Sequence, residues 1–302
     1  MVSPFLCEEF ARLFEGVANS KASFNKVNHD ILGSTTGLNC VFYKPLPFFG
    51  YAVIYGLPKN QDINELNNHL NEVIRQSKLN NCWFLEVRNH EQSDELNILL
   101  SKIGFTYRPW LNATLLLQSN WQLGISKNKR RNIQKAINLE LQFRKCSSSQ
   151  EINAVYKLFE IHYKRIRKPL PDQIFFENCL KHPNYAFIFV TYKGSEVLAS
   201  SLVLCFQKVA AQYYFATDYD HLSEHQSASF HQWSVLNWAH QNGIIQMDLV
   251  GGGELDKPYG VREFKRRFGA TFEEVGRWQL IFNPIRWTIL KSVMDIILRL
   301  KK

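Results

Sequence analysis

Apolar residues are arranged along the chain in two patterns that alternate with each other. Compact apolar runs predict β-strands, whereas apolar positions three and four residues apart, such as Leu66, Leu70 and Val73, predict amphipathic helices. In the first part of the chain, strands are predicted at 39–46, 50–56, 82–88 and 111–117, and helices at 61–78 and 93–104. This alternation is typical of an α/β fold with mixed sheets and flanking helices.

The second part of the chain repeats this order with longer elements. Helices are predicted at 127–139, 150–165, 172–181, 226–243 and 262–269, and strands at 185–193, 196–206, 209–217, 244–250 and 277–283. Two copies of one α/β unit explain the repeat. We therefore predict an N-terminal domain at 1–120 and a C-terminal domain at 121–282, packed together because no low-complexity linker separates them.

The last segment, residues 283–302, predicts a C-terminal amphipathic helix. Asn283 suits the N-cap and Pro284 the first turn. The apolar stripe of this helix is Ile289, Val293, Ile296, Ile297 and Leu300. A helix of this kind packs on a neighbouring domain or lies on an anionic membrane surface, and the sequence leaves both interpretations open.

The cysteines and the apolar runs indicate the compartment in which the protein acts. The six cysteines form no C-x-x-C pair and most of them sit in apolar runs, which indicates buried thiols in a reducing compartment. The N-terminus lacks the pattern of a signal peptide, and no run of about 18 apolar residues predicts a membrane span. We expect a cytoplasmic protein, with peripheral contact at the inner face of the membrane if the tail binds lipid.

Positive charge is concentrated in two places, and the formal net charge is +9. In the run 125–136, the residues Lys127, Arg131 and Lys135 follow each other at helical i, i+4 spacing with no acid among them. Like charges at this spacing, and cations near a helix N-terminus, both destabilise a helix. We interpret the run as a site for an anionic substrate, bound by Lys127, Arg130 and Arg131; a solvated basic face is the alternative.

The second basic cluster, residues 262–269, follows a glycine-rich stretch at the end of a strand. Glycines at such a position allow a ligand to approach the backbone closely. They match neither a G-x-G-x-x-G motif nor a Walker loop, so they do not predict a dinucleotide site or a P-loop. The candidate substrate-binding residues here are Gly251, Gly252, Tyr259 and Arg262.

Three segments together resemble the FemAB-type aminoacyltransferases, a branch of the GNAT acyltransferases. KNKRRNIQKA resembles the basic helix that opens the second domain of that family, and GVREFKRRFGA resembles its F-K-x-x-F-G element. The residues 215–253 between them resemble its strand, loop, long helix and D-x-x-G-G strand. The likeness covers roughly residues 40–282.

The resemblance implies two GNAT-like domains and an acyltransferase. Such enzymes move an acyl group, typically from aminoacyl-tRNA, onto an amine of a cell-wall precursor such as that of peptidoglycan, without a covalent enzyme intermediate. It places Lys265 near the reacting centre, with Phe264 beside it, and a fixed cation there would stabilise the developing oxyanion. Asp248, at a strand end, is the third catalytic candidate; a satisfied structural carboxylate is the equally favoured alternative.

The same resemblance implies no bound cofactor, since the acyl donor is a co-substrate. The donor, aminoacyl-tRNA or acyl-CoA, stays open. The segment before the long helix, LSEHQSASF, lacks the glycines of a pyrophosphate-binding loop, which argues against ordinary acetyl-CoA binding. The expected acceptor is an amine on a glycan or lipid-linked precursor, and no DNA partner is expected.

Two other interpretations compete with this one. A non-catalytic RNA- or phosphate-binding protein would also use two basic clusters, but it would spread them along an open face rather than place Lys265 in a cleft. The H-x-x-E-H pattern at 221–225 matches a zinc-protease motif, yet it falls in a predicted loop, so surface histidines are favoured and no metal site is assigned. Glu86 and Arg88 are interpreted as a structural ion pair, with a substrate contact as the minority alternative.

Overall fold

A computed structural model describes residues 2–29, 35–46, 48–57, 62–88, 93–220 and 222–288. Its strands are β1 Ser20–His29, β2 Thr35–Leu46, β3 Phe49–Tyr55, β4 Cys82–Arg88, β5 Thr106–Arg108, β6 Leu111–Leu116, β7 Gln142–Lys145, β8 Ala186–Lys193, β9 Glu196–Phe206, β10 Val209–Thr217, β11 Gln246–Gly253, β12 Thr271–Glu274 and β13 Arg277–Ile281. Its helices are α1 Glu8–Arg12, α2 Ile63–Leu79, α3 Asp94–Ile103, α4 Lys127–Asn138, α5 Ser149–Arg165, α6 Gln173–Lys181, α7 Leu222–His225, α8 Ser227–Gln241 and α9 Gly260–Arg266.

The chain divides into two compact units. The first unit comprises residues 19–109 together with 275 onward, and the second comprises residues up to 18 together with 110–274. The predicted division at residue 120 differs from this in three respects. Residues up to 18 and residues 110–120 belong to the second unit, and the strand after residue 274 belongs to the first.

The first unit is a six-stranded sheet in the order β1-β2-β3-β4-β13-β5. Helices α2 and α3 cover one face, since their apolar stripes and the inward side chains of β2, β3 and β4 form one core. Ser93 caps α3 by accepting a hydrogen bond from the Leu96 N–H, and Gly104 ends this helix in a left-handed conformation, as predicted.

The second unit is a seven-stranded sheet in the order β12-β6-β11-β10-β9-β8-β7. Strands β10 and β11 run parallel, and every other neighbouring pair is antiparallel. Helix α8 is packed into the core on one side, where Val235, Leu236 and Ala239 are fully buried.

Strands β6 and β13 lie in other sheets than the sequence indicates. The run LNATLLL was predicted to close the first unit, but β6 pairs with β11 and β12 of the second unit. Conversely, β13 was predicted to close the second unit, but it lies between β4 and β5 of the first. Apolar alternation predicts that a segment is a strand, but it does not select the partner strand, which depends on long-range pairing.

The N-terminal residues form part of the second unit's core. Phe5 and Phe10 are buried, and each ring packs edge-on against Tyr213 of β10. The Tyr185 hydroxyl donates a 2.8 Å hydrogen bond to the Pro4 carbonyl oxygen. Short apolar segments without a clear period, such as this one, carry no signal of where they dock.

The start of the C-terminal helix agrees with the prediction. The Asn283 side-chain oxygen accepts a 3.0 Å hydrogen bond from the Arg286 N–H, and residues 284–288 are helical. The Trp287 ring lies 4.9 Å from the Phe84 ring of β4, so this first turn packs on the first unit's sheet. Residues 289–302, which carry the predicted apolar stripe, lie outside the described residues.

Candidate functional site

The parallel strands β10 and β11 of the second unit are paired over only part of their length. Val209, Ala210 and Ala211 pair with Gln246, Met247 and Asp248. Beyond this point β10 continues to pair with β9, and β11 with β6. An opening between the carboxyl ends of parallel strands is the usual ligand site of open α/β sheets.

Strand β11 has an irregular backbone at the point where this opening begins. Val250 has a φ of 52°, which is rare for a β-branched residue and strained unless neighbours hold it. Oδ1 of Asp248 accepts hydrogen bonds from the Val250 N–H at 2.7 Å and from Nδ2 of Asn112 at 3.0 Å. The Asp248 carboxylate is buried and positions the backbone of the bulge.

The ammonium group of Lys265 lies against the same bulge. Its Nζ donates to the carbonyl oxygens of Leu249 at 2.6 Å, Val250 at 3.1 Å and Gly251 at 2.8 Å. Burial lowers the pKa of Lys265 to about 7, although the nearby Asp248 carboxylate acts in the opposite direction. A lysine with such a pKa can hold or release a proton near neutral pH, as acid–base groups of active sites do.

Arg262 does not present a free cation to a ligand in this structure. Its Nε donates to the Gly252 carbonyl oxygen at 2.7 Å, and its terminal nitrogens donate to the carbonyls of Leu255, at 3.1 Å, and Glu254. Arg262 thus holds the loop that follows β11. The sequence had suggested a substrate contact, and the observed contacts of its guanidinium are with backbone.

The glycine run is closely packed by side chains of the same unit. A Cβ atom on Gly252 would lie 2.9 Å from the Phe272 ring and 3.0 Å from Leu111. Gly253 has a φ of 85°, and the Tyr259 ring packs directly on it. Gly251 contributes its carbonyl oxygen to Lys265. The glycines therefore allow these side chains to pack on the backbone and the loop to turn, whether or not a ligand binds there.

Helix α9 reaches both separated strand ends. Lys265 contacts β11, whereas the preceding Phe264 lies 6.2 Å, ring to ring, from Phe215 in the carboxyl half of β10. Phe264 also packs at 5.2 Å on the buried Phe268 ring. Neighbouring residues of this short helix therefore line the two sides of the opening.

The two basic clusters meet in the folded unit. The N–H of Ser126, the N-cap of α4, donates a 2.9 Å hydrogen bond to the Arg267 carbonyl oxygen just after α9. Gly124 and Gly269 are in close contact, because a Cβ atom on Gly269 would lie 3.2 Å from the Gly124 Cα. The basic helix and the candidate Lys265 site are thus parts of one region.

The cations of α4 fall into two classes. Lys127, Arg130 and Arg131 are exposed, and within the part of the chain that the structure describes their side chains have no hydrogen-bond or ion-pair partner. Lys129, in contrast, is only 9% exposed. Its Nζ donates to the Ser229 hydroxyl of α8 at 2.9 Å and lies 4.2 Å from the centre of the Phe264 ring.

The sequence did not single out Lys129 as a site residue. It shares a helix face with Ile133 and Ala136, both buried, and this spacing was the available signal. Asn112, which binds Asp248, had no signal at all, because its partner is 136 residues away.

Other candidate groups lie outside this region or are satisfied. Glu86 and Arg88 form the predicted ion pair in the first unit, at 2.6 Å. His221 of the H-x-x-E-H pattern lies outside the described residues, and His225 accepts a 2.7 Å hydrogen bond from the Lys193 Nζ. Among the described residues no three potential metal-binding side chains cluster together, and none of the helices there is long and apolar enough to cross a membrane.

Comparison with protein families confirms the resemblance inferred from the sequence. Residues 184–294, which contain β8–β11, α8, α9 and Lys265, match the FemAB family. The match confirms the predicted enzyme class, an acyltransferase that takes acyl-CoA or aminoacyl-tRNA as co-substrate. It supports aminoacyl transfer in cell-envelope synthesis. No curated protein is significantly similar in sequence.

Solved structures confirm the fold class, with two GNAT-like units. FemX has a TM-score of 0.65 at 13% identity, over 94% of each chain. The C-terminal domain of a putative lysylphosphatidylglycerol synthetase from Agrobacterium fabrum has a TM-score of 0.60 at 12% identity, over 98% of this chain and 92% of the other. A tandem GNAT protein from the clavulanic acid biosynthesis pathway has a TM-score of 0.53 at 11% identity, over 89% of this chain and 85% of the other.

Proposed function

We propose that the chain matching FemAB over residues 184–294 transfers an aminoacyl group from aminoacyl-tRNA to an amine of a cell-envelope precursor, at the opening between β10 and β11. The observation that carries this proposal is the Lys265 ammonium, held by three carbonyl oxygens where β11 leaves β10. Fold similarity at this level of identity indicates the scaffold, and the site supplies the chemistry.

The proposed reaction is a direct attack of the acceptor amine on the ester carbonyl of the donor. The new C–N bond forms, the ester C–O bond breaks, and the amine proton ends on the departing hydroxyl. Negative charge develops on the carbonyl oxygen. The Lys265 ammonium stabilises it through its positive charge rather than by a hydrogen bond, since its three N–H donors are taken by backbone carbonyls. A lysine with a pKa of about 7, such as Lys265, also suits transfer of the proton from the acceptor amine nitrogen to the departing hydroxyl oxygen.

The state of the cysteines supports direct transfer. All six thiols are buried. Burial raises the pKa of Cys40, Cys82, Cys146, Cys179 and Cys205. These thiols stay protonated near neutral pH and are poor nucleophiles, since thiolates rather than thiols react.

The exposed face of α4 favours a polyanionic donor. Lys127, Arg130 and Arg131 are free to contact phosphates, and α4 is hydrogen-bonded to the end of α9. A tRNA presents many phosphates around its acceptor end, and binding through several cations depends steeply on salt. Acyl-CoA, with fewer phosphates, is the alternative donor.

The acceptor is proposed from the name of one protein of similar fold. One similar fold belongs to a protein named as a putative lysylphosphatidylglycerol synthetase, a name that combines an amino acid with a lipid. We propose a glycan or lipid-linked amine as acceptor, and action in the cytoplasm at the inner membrane face. The basic residues of the 289–302 tail, known from sequence alone, would favour such a location.

A transfer assay with matched donors tests the proposal. Purified protein is incubated with radiolabelled aminoacyl-tRNA or acetyl-CoA, together with lipid and cell-wall precursor extracts, and the label is followed into amide products. Enzyme-dependent amide from aminoacyl-tRNA supports the proposal, and its absence with every acceptor overturns it. Tight, salt-sensitive tRNA binding without transfer would instead favour the second candidate, a non-catalytic RNA-binding protein, which the exposed α4 cations also fit.

A further inference from the structure

We propose that Lys129 is a positioning residue of the transfer site, whose positive charge holds Phe264 and, through it, the Lys265 ammonium. The inference rests on the proposed function. It concerns a side chain that neither contacts the reacting groups nor belongs to the exposed basic face of α4.

The surroundings of Lys129 do not explain a buried cation by charge pairing. Its only side-chain hydrogen bond among the described residues goes to the neutral Ser229 hydroxyl. The nearby charged group is Arg267, a second cation, and burial with this repulsion lowers the pKa of Lys129 to about 8. An apolar side chain of similar length would avoid the cost of burying an ammonium.

Aromatic rings take the place of an acid. The Lys129 Nζ lies 4.2 Å from the centre of the Phe264 ring and 5.7 Å from that of Phe268. A desolvated ammonium over the face of an aromatic ring is attracted by the ring quadrupole. This attraction requires the charge, so a neutral side chain of the same shape would not reproduce it.

The contact links three helices at the opening between β10 and β11. Lys129 belongs to α4, Ser229 to α8 and Phe264 to α9. Phe264 precedes Lys265 directly, so a shift of the Phe264 ring moves the backbone that carries Lys265. The three carbonyl contacts of Lys265, at 2.6–3.1 Å, tolerate little displacement.

The experiment uses the full chain and four proteins: parent, Lys129→Met, Lys129→Arg and Val155→Ala. Methionine keeps the length and apolar character of the stem but removes the charge, whereas arginine keeps a cation. Val155 is fully buried in α5, and its truncation is the matched control for a general loss of stability.

The first readout requires no substrate. Acylation of Lys265 by an N-hydroxysuccinimide ester of acetate is followed by mass spectrometry from about pH 6 to about pH 10, with urea unfolding measured in parallel. In the parent, the labelling rate should rise around the lowered pKa of about 7. In Lys129→Met the Lys265 ammonium leaves the carbonyl oxygens and regains water, so the pH at which labelling rises should shift toward the usual lysine value of about 10.4, whereas Lys129→Arg and Val155→Ala should keep the parental profile. A parental profile in Lys129→Met, or the same shift in Val155→Ala, overturns the proposal.

The second readout is transfer from aminoacyl-tRNA. We expect kcat to fall about tenfold in Lys129→Met with KM nearly unchanged, and to recover in Lys129→Arg, since only positioning at the reacting centre is lost. A higher KM with unchanged kcat would show donor binding instead and would overturn the positioning role. If no transfer is detected in the parent, the proposed function fails, and the labelling result still decides whether Lys129 positions Lys265.

Discussion

Asp248 accepts a hydrogen bond at 2.7 Å from the N–H of Val250, the residue whose φ of 52° gives β11 its irregular shape. The sequence left the role of this carboxylate open between a catalytic group and a satisfied structural carboxylate. Its observed contacts are with the Val250 amide and with Asn112. The Asp248 charge also acts on Lys265, whose pKa it raises against the effect of burial.

Replacing Asp248 separates these effects. In Asp248→Ala the Val250 N–H loses its buried acceptor, and we expect a loss of about 1–3 kcal/mol in the free energy of unfolding. Asp248→Asn keeps an acceptor oxygen but removes the charge, so it should be more stable than Asp248→Ala. Urea unfolding checks the order of the two variants, and equal stabilities would contradict the role of the hydrogen bond.

Lys265→Ala should abolish most of the transfer activity. Loss of a cation aimed at a developing oxyanion costs on the order of 3 kcal/mol in the barrier, or about a hundredfold in rate. Three carbonyl oxygens also lose their donor, so we expect about 1–3 kcal/mol lower stability. Lys265→Arg is the control that retains a cation. Rates are compared under conditions where circular dichroism shows each variant folded; parental turnover in Lys265→Ala would refute the role.

Reversing the charges of Arg130 and Arg131 to Glu should weaken tRNA binding about tenfold or more, with a shallower salt dependence than the parent. Both side chains are exposed, so stability should change little. The double reversal of Lys157 and Lys208 to Glu, at two exposed positions on α5 and between β9 and β10, changes the net charge by the same amount and is the control. Filter binding at several salt concentrations provides the measurement, and equal weakening in this control would show a non-specific charge effect.

Stability should fall at mildly acidic pH because of His231. Its ring nitrogens contact the hydroxyls of Thr191 at 2.9 Å and Ser201 at 2.8 Å, and complete burial lowers its pKa to about 3. Between the usual value near 6.5 and about 3, the unfolded chain binds a proton that the folded chain does not, so each pH unit costs up to about 1.4 kcal/mol.

The pH effect is checked by urea unfolding at pH 7 and pH 5 in the parent and in His231→Gln. The pKa of His162 is also lowered by burial, so this residue contributes a part of the pH dependence of the unfolding free energy that remains in the variant. A slope unchanged by His231→Gln would assign the whole effect to other groups.

A truncation tests the membrane hypothesis for the tail. A chain that ends at Thr288 keeps the Trp287–Phe84 contact and removes Lys291, Arg299, Lys301 and Lys302. Each basic residue near an anionic surface contributes about 1 kcal/mol, so the full chain should co-sediment with anionic vesicles and the truncated chain much less. Neutral vesicles are the control, and equal binding of both proteins to anionic vesicles would exclude the tail as an anchor.

Local chemistry made most elements predictable. Ser93, Gly104 and Asn283 cap helices at the predicted positions. Such caps can be predicted because capping involves residues only a few positions apart. Strand β1, whose sequence SKASFNKVNH is mostly polar, was missed. The short strands β5, β7 and β12 were also missed, since three or four residues are too few to establish a period. The likeness of the segment around Lys265 to FemAB was readable because the motif is continuous.

The sequence by itself determined most of the helices and strands, where the cations concentrate, and which family the C-terminal part matches. The tertiary structure alone decided that β6 and β13 lie in the sheets where they do, that α4 meets α9, and that Lys129 rather than its exposed neighbours is buried against Phe264. The reason is physical. Periodicity and capping act between residues a few positions apart, whereas strand pairing and burial depend on residues more than a hundred positions apart, whose encounter no local pattern encodes.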